Sequence, residues 1–359
     1  MATRAAAQMQ RRKLLAHGTG VLLSTAVFGA CRGQWLPGAI QTPAPGRVGL
    51  SDVKRVEAAT RAIRALDYQF GGGECRDAVV AQLSWAQRLL SASGKDVVRA
   101  RLFRALGDLQ NLAGWTSFDG GLLDSSRSHF ATALSYSAES GDAGLMSNIM
   151  YRIGRVYLHH DAPTDALKWF WRGQSAAQDS GSALAVAVLC GNQAWAYAMM
   201  GDDVQANKLL DRSRGELAKA DLSQAPDWAR FYTETDMYAM IGTVHTELSA
   251  FEVRYAGLAI LAFGEALTRY DDSMARSRAF TLTMLATNHL RQDDVEHGVE
   301  VGHRALAFAT GLKSKRVTDR LKPLELVAGQ STKSDSSELS RLIRQHRSVS
   351  RSGDTVSVL

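Results

Sequence analysis

The sequence predicts an all-α protein built from antiparallel helical hairpins stacked side by side. Three observations carry this expectation. Three segments align at a spacing of forty residues, small and bulky residues recur within them at helical intervals, and proline is scarce, at 6 in 359 residues. A composition of 45% hydrophobic and 22% charged residues fits a folded chain of long helices.

Residues 1–50 read as a basic N-terminal segment and linker, with an apolar stretch over 14–30. His17, Gly18 and Gly20 interrupt that stretch, so it is not a conventional membrane helix. Arg11, Arg12, Leu14 and Leu15, the apolar run from Val21 to Ala30, and FGAC ending at Cys31 meet much of a twin-arginine lipoprotein signal. Phe28 is bulky where a smaller aliphatic residue is usual before a lipidated cysteine. Pro37, Pro43 and Pro45 mark the linker.

The repeat array is expected over 51–312. Its first pair, VKRVEAATRAIRALDYQF and CRDAVVAQLSWAQRLL, flanks a turn at Gly71 to Gly73. The three clearest units are NLAGWTSFDGGLLDSSRSHFATAL, IMYRIGRVYLHHDAPTDALKWFWRG and CGNQAWAYAMMGDDVQANKLLDRS. Each places a small residue in its first helix (Gly114, Gly154, Ala194) and a turn at Gly121, Asp161 or Gly201. Its second helix then carries small, bulky and small residues: Ser126, Phe130, Ala133; Ala166, Phe170, Gly173; Ala206, Leu210, Ser213. Such spacing lets two helices approach where one supplies a gap and the other fills it. The region resembles the tetratricopeptide repeat, with Tyr157 and Tyr197 at its aromatic position. That repeat has a usual period of about 34, so roughly six extra residues per unit must lengthen helices or connections.

Two weaker pairs follow. In FYTETDMYAMIGTVHTELSA with VRYAGLAILAFGEALTRY, the pattern is kept by Ala259, Phe263 and Ala266. In SRAFTLTMLATNHL with VEHGVEVGHRALAFA, Gly298, Gly302 and Ala305 take the close positions. The expected architecture is a tetratricopeptide-like right-handed solenoid of about six helical hairpins with a C-terminal capping helix. Residues 313–347 read as basic capping helices around RLKPLELVA and SSELSRLIRQHR, with polar sides suited to ending a stack, and 348–359 as a disordered tail.

The formal charge of +6 is unevenly placed: residues 1–50 carry +6, residues 313–359 carry +5, and the body carries −5. An acidic body argues against a broad nucleic-acid-binding face, and direct nucleic-acid binding is not expected. Cys31, Cys75 and Cys190 are odd in number and widely spaced, which fits neither a disulfide framework nor a zinc site. GxSxG, HExxH and P-loop patterns do not occur. His159, His160 and Asp161 lie at a turn, where helix capping or solvent contact is expected; Asp202–Asp203, Asp271–Asp272 and Asp293–Asp294 read as helix-start acids. No catalytic residue, cofactor or metal is expected.

An array of hairpins presents the first helix of each pair on a concave face. That register places Asp108, Asn111 and Trp115, then Asn148, Tyr151 and Arg155, then Gly191, Asn192 and Trp195, in a groove for a protein or peptide ligand. Asparagines would bridge a ligand backbone, with aromatic residues and Arg155 as anchors; the alternative places Trp115 and Trp195 in the core. Trp115 and Val188 stand where a clamp for a C-terminal carboxylate needs polar groups, so chaperone-tail binding is not expected.

Beyond the repeat, the blocks YQFGGGECRDAVVAQLSWAQRLL, DLQNLAGWTSFDGG, RIGRVYLHHDAP, SGSALAVAVLCGNQAWAYAMMG and ETDMYAMIGTVHTELS occur in order. Over residues 50–345 the chain resembles a family of actinobacterial, streptomycete regulators that carry tetratricopeptide arrays. Some of them have a preceding helix-turn-helix segment, and the family includes negative regulators of sporulation and antibiotic production. The resemblance implies a non-enzymatic, cytoplasmic regulator, and members with paired arginines before an apolar stretch set the same expectation for this one. The segment before residue 50 is too short for a helix-turn-helix domain, so sequence-specific DNA binding is not expected. Two rival readings stand beside it: an exported envelope scaffold anchored to the membrane through Cys31, and a DNA-binding repressor acting through its basic tails.

Overall fold

A computed structural model describes residues 45–355. Cys31 and the whole signal-like stretch lie outside the described residues. Within them the regular structure is helical, and the one extended pairing is an isolated bridge between Arg47 and Ser93.

Six hairpins occupy the expected places. They are α1 (Leu50–Phe70) with α2 (Gly72–Ala86), α3 (Asp96–Asp119) with α4 (Leu123–Ser140), and α5 (Ala143–His159) with α6 (Pro163–Asp179). Next come α7 (Ala183–Met199) with α8 (Asp203–Lys219), α9 (Glu234–Leu248) with α10 (Arg254–Arg269), and α11 (Ala275–Arg291) with α12 (Val295–Thr310). The short helix α13 (Lys315–Arg320) and the helices α14 (Lys322–Gln330) and α15 (Ser334–Thr355) complete the chain. Helices α5 to α8 are each 17 residues long and joined by three-residue turns, so helix length holds the forty-residue period.

One turn chemistry is reused along the array. Gly121, Gly141, Asp161, Gly201 and Asp293 adopt positive φ. The amide of the next residue then donates back to the carbonyl five positions earlier, as in Leu122 to Ser117 at 2.8 Å and Asp202 to Tyr197 at 3.0 Å. This closes the preceding helix. Asp142, Asp202 and Asp294 directly start the following helix by accepting from Leu145, Gln205 and His297 amides. The acid pairs at 202 and 293 therefore act at helix starts, as read from sequence.

The small and bulky positions meet as the spacing requires. A Cβ added at Gly114 would lie 2.8 Å from the Phe130 ring, and one at Gly242 would lie 2.5 Å from the Phe263 ring. At Gly154 it would lie 2.2 Å from the Phe170 ring, which has no exposed surface. Ala166, Ala194 and Ala206 are fully buried. Gly201 sits in its turn at φ +77 with Phe251 against it.

Three boundaries differ from the sequence reading. Val48, assigned to the linker, is 2% exposed and its amide donates to the Ser93 carbonyl. Of the three glycines at 71–73, only Gly71 has positive φ; the other two open α2. Order was expected to end at 347, yet α15 runs through Thr355. Its apolar side packs on α12, with Leu339 filling the space at Gly302, and Glu325 of α14 holds both Arg344 and Arg347. No helix among the described residues is long and apolar enough to cross a membrane.

Gly154→Ala should destabilise the protein by about 1–3 kcal/mol, since overpacking a buried ring outweighs the helix propensity gained. Gly215 has nothing within 4 Å of its added Cβ and is exposed in α8, so Gly215→Ala should stabilise by about 0.5–1 kcal/mol. Urea unfolding of both variants checks the contrast.

Candidate functional site

The inner faces of α3, α5 and α7 converge on a cavity of about 270 Å³. Trp115, Tyr151, Arg155, Asn192 and Trp195 line it, as the groove register placed them. The other nominated residues go elsewhere. Asn111 is fully buried and donates to Asn148 at 2.9 Å, which ties α3 to α5. Asn148 reaches the Trp228 carbonyl and borders a separate, wider cleft near Gly141 and Gly181. Asp108 pairs with Arg64 of α1. Asn192 accepts from Arg155 at 3.2 Å and donates to Val188 at 2.7 Å. The asparagines expected to bridge a ligand backbone thus bond to one another and to neighbouring groups, although Oδ1 of the buried Asn111 has no partner.

The largest departure concerns the C-terminal segment. A capping helix with its polar side in solvent was expected, and an open trough beside it. Instead α13 turns inward and stands in the cavity wall. Arg316 is 5% exposed, and its guanidinium lies over Trp115 at 4.2 Å. Arg320, one helical turn on, lies over Trp195 at 4.3 Å. Arg152 and Arg155 of α5 stand over the same two rings at 5.1 and 4.4 Å. Each tryptophan therefore meets one arginine from the array and one from α13. Both rings belong to the main core and also form cavity wall, so the two sequence alternatives for them coincide.

A buried carboxylate fixes this closure. Asp119, at the end of α3, accepts from the Gly72 amide at 2.6 Å, Arg316 Nε at 2.6 Å, Ser314 Oγ at 2.8 Å and Arg276 Nη1 at 3.3 Å. Arg276 also forms a two-pronged pair with Asp67 of α1, at 2.8 and 3.0 Å. Burial alone would push the Asp119 carboxyl up, but Arg316, Arg276, Gly72 and Ser314 together hold it at about 2. Gly73 donates to the Lys313 carbonyl, and a Cβ there would sit 2.8 Å from that oxygen. The glycine run so admits the returning chain.

Other groups are structural or peripheral. His159 contacts Asp319 of α13 at 3.3 Å and meets Phe118 edge-on; burial pushes it down, against the Asp319 bond. His160 bonds the Val156 carbonyl. His289, Asp294 and His297 bring donor atoms within 4.8 Å of one another, do not line this cavity, and are the described residues that could hold a metal ion. Arg152, Arg276, Arg316 and Arg320 were not picked out from sequence. The one available signal was the i, i+4 spacing of Arg316 and Arg320, which places them on one face without naming what that face meets. The chain matches no protein-family model and no curated protein.

Asp119→Asn should cost about 3–5 kcal/mol, because Arg316 loses its counter-ion inside the protein. The wild-type carboxyl is depressed below its unfolded value, so its contribution is present above pH ~4 and is lost as pH falls toward 2. Urea unfolding at pH 7 for the variant, and between pH 4 and 2 for the wild type, checks both.

Proposed function

We propose that the chain is a non-enzymatic regulatory adaptor: a tetratricopeptide-like, right-handed solenoid whose inner face recognises a peptide or protein segment. In this reading it acts in the cytoplasm and negatively regulates sporulation and secondary metabolism, as the resemblance of its sequence blocks implies. The observation that supports recognition is the placement of α13, whose Arg316 and Arg320 rest on Trp115 and Trp195. An inner face that accepts one basic helical turn is chemically suited to accept another. A partner with two arginines one turn apart would compete with α13 and release the closure at Asp119. Regulation would then be a population shift between closed and opened arrays, with the partner favouring the opened one.

The test uses the chain's own segment. A peptide spanning residues 311–322 should bind the folded Arg316→Ala, Arg320→Ala double variant with a Kd on the order of 10 μM. It should bind the wild type at least tenfold more weakly, because α13 already fills the place. Calorimetry reads binding, and circular dichroism checks folding. A well-folded double variant that ignores the peptide would remove the inner face as a recognition surface.

A further inference from the structure

Five arginines from three helices stand in the wall of the central cavity: Arg152 and Arg155, Arg276, and Arg316 and Arg320. Two carboxylates serve them: Asp67 pairs with Arg276, and Asp119 with Arg276 and Arg316. Among the described residues no carboxylate lies within 4 Å of Arg152, Arg155 or Arg320; Asp108 acts on Arg152, and Glu247 and Asp161 on Arg320, only from beyond that distance. Arg152 and Arg155 donate only to neutral acceptors, the Asn111 carbonyl and the Asn192 side chain. Arg320 rests on the rings of Trp195 and Phe280. Nη2 of the buried Arg316 has no hydrogen-bond partner. Asp236 is the one acid in the cavity lining, and Thr233 engages it in a helix cap.

Uncompensated cations enclosed by protein are strongly disfavoured, and a bound anion relieves them. Guanidiniums suit carboxylate and phosphate oxygens, which accept their N–H forks in pairs. The walls between them are aromatic, with Tyr151 and Phe231 stacked at 5.7 Å beside the two tryptophans. The volume of about 270 Å³ is near twice the roughly 150 Å³ that holds benzene. We propose that this cavity binds a small organic dianion carrying a planar ring. The site is complete only while α13 is docked, so such a ligand favours the closed array. Burial, followed by repulsion from Arg155 and opposed by Glu247, depresses Arg320 to about 9, and burial followed by repulsion from Arg64 depresses Arg152 to about 10.

The experiment titrates the full chain at pH 7.5 and low salt with phenyl phosphate, inorganic phosphate and phenol, by calorimetry and thermal unfolding. Phenyl phosphate should saturate at one site and raise Tm, with the other two at least tenfold weaker. Arg320→Gln should weaken phenyl phosphate at least tenfold while leaving the ligand-free Tm unchanged or higher, since it removes a half-buried charge with no ion-pair partner within 4 Å. A purely structural arginine predicts the reverse, a lower Tm with affinity kept, and that result overturns the proposal. So does the lack of saturation at millimolar phenyl phosphate, or phosphate binding as tightly as its phenyl ester. None of these readings involves the peptide, so the partner hypothesis stands or falls separately.

Discussion

The closed form of this molecule depends on one buried carboxylate. Asp119 ends the first helix of the second hairpin and gathers the Gly72 amide, two guanidiniums and the Ser314 hydroxyl around itself. Those partners come from the first hairpin, the sixth hairpin and the segment beyond it. A stack of hairpins has only nearest-neighbour contacts unless something bridges its ends. Here an ion cluster does so, and its fully enclosed setting makes it intolerant of losing any one member.

That bridge carries α13 inward and changes what the inner face is. A face of aromatic and amide groups receives Arg316 and Arg320, and the two tryptophans become platforms between pairs of guanidiniums. Positive charge is thereby concentrated in a small aromatic enclosure, while the opposing carboxylates are committed to holding the chain together. The groups that close the array thus also define the chemistry of the space they enclose.

Much of the fold was legible residue by residue. The forty-residue period, the turns at Gly121, Asp161 and Gly201, and the meeting of Gly154 with Phe170 all follow from local rules. Left-handed backbone selects glycine or aspartate, and close helix crossings select a small residue opposite a ring. The candidate site was legible by half. Trp115, Tyr151, Arg155, Asn192 and Trp195 share one cavity because one helical register places them there. Asp108, Asn111 and Asn148 share that register, yet pairing partners on neighbouring helices claim them.

By itself, then, the sequence determined helix, turn and hairpin order, since these depend on residues within about a turn of one another. Only tertiary structure decided where the C-terminal segment goes. Asp119 and Arg316 are 197 positions apart, and Arg276 lies 209 from Asp67. No periodic pattern links such residues. What joins them is the need of each buried charge for a counter-charge, a condition that arises only once the hairpins have stacked and excluded water.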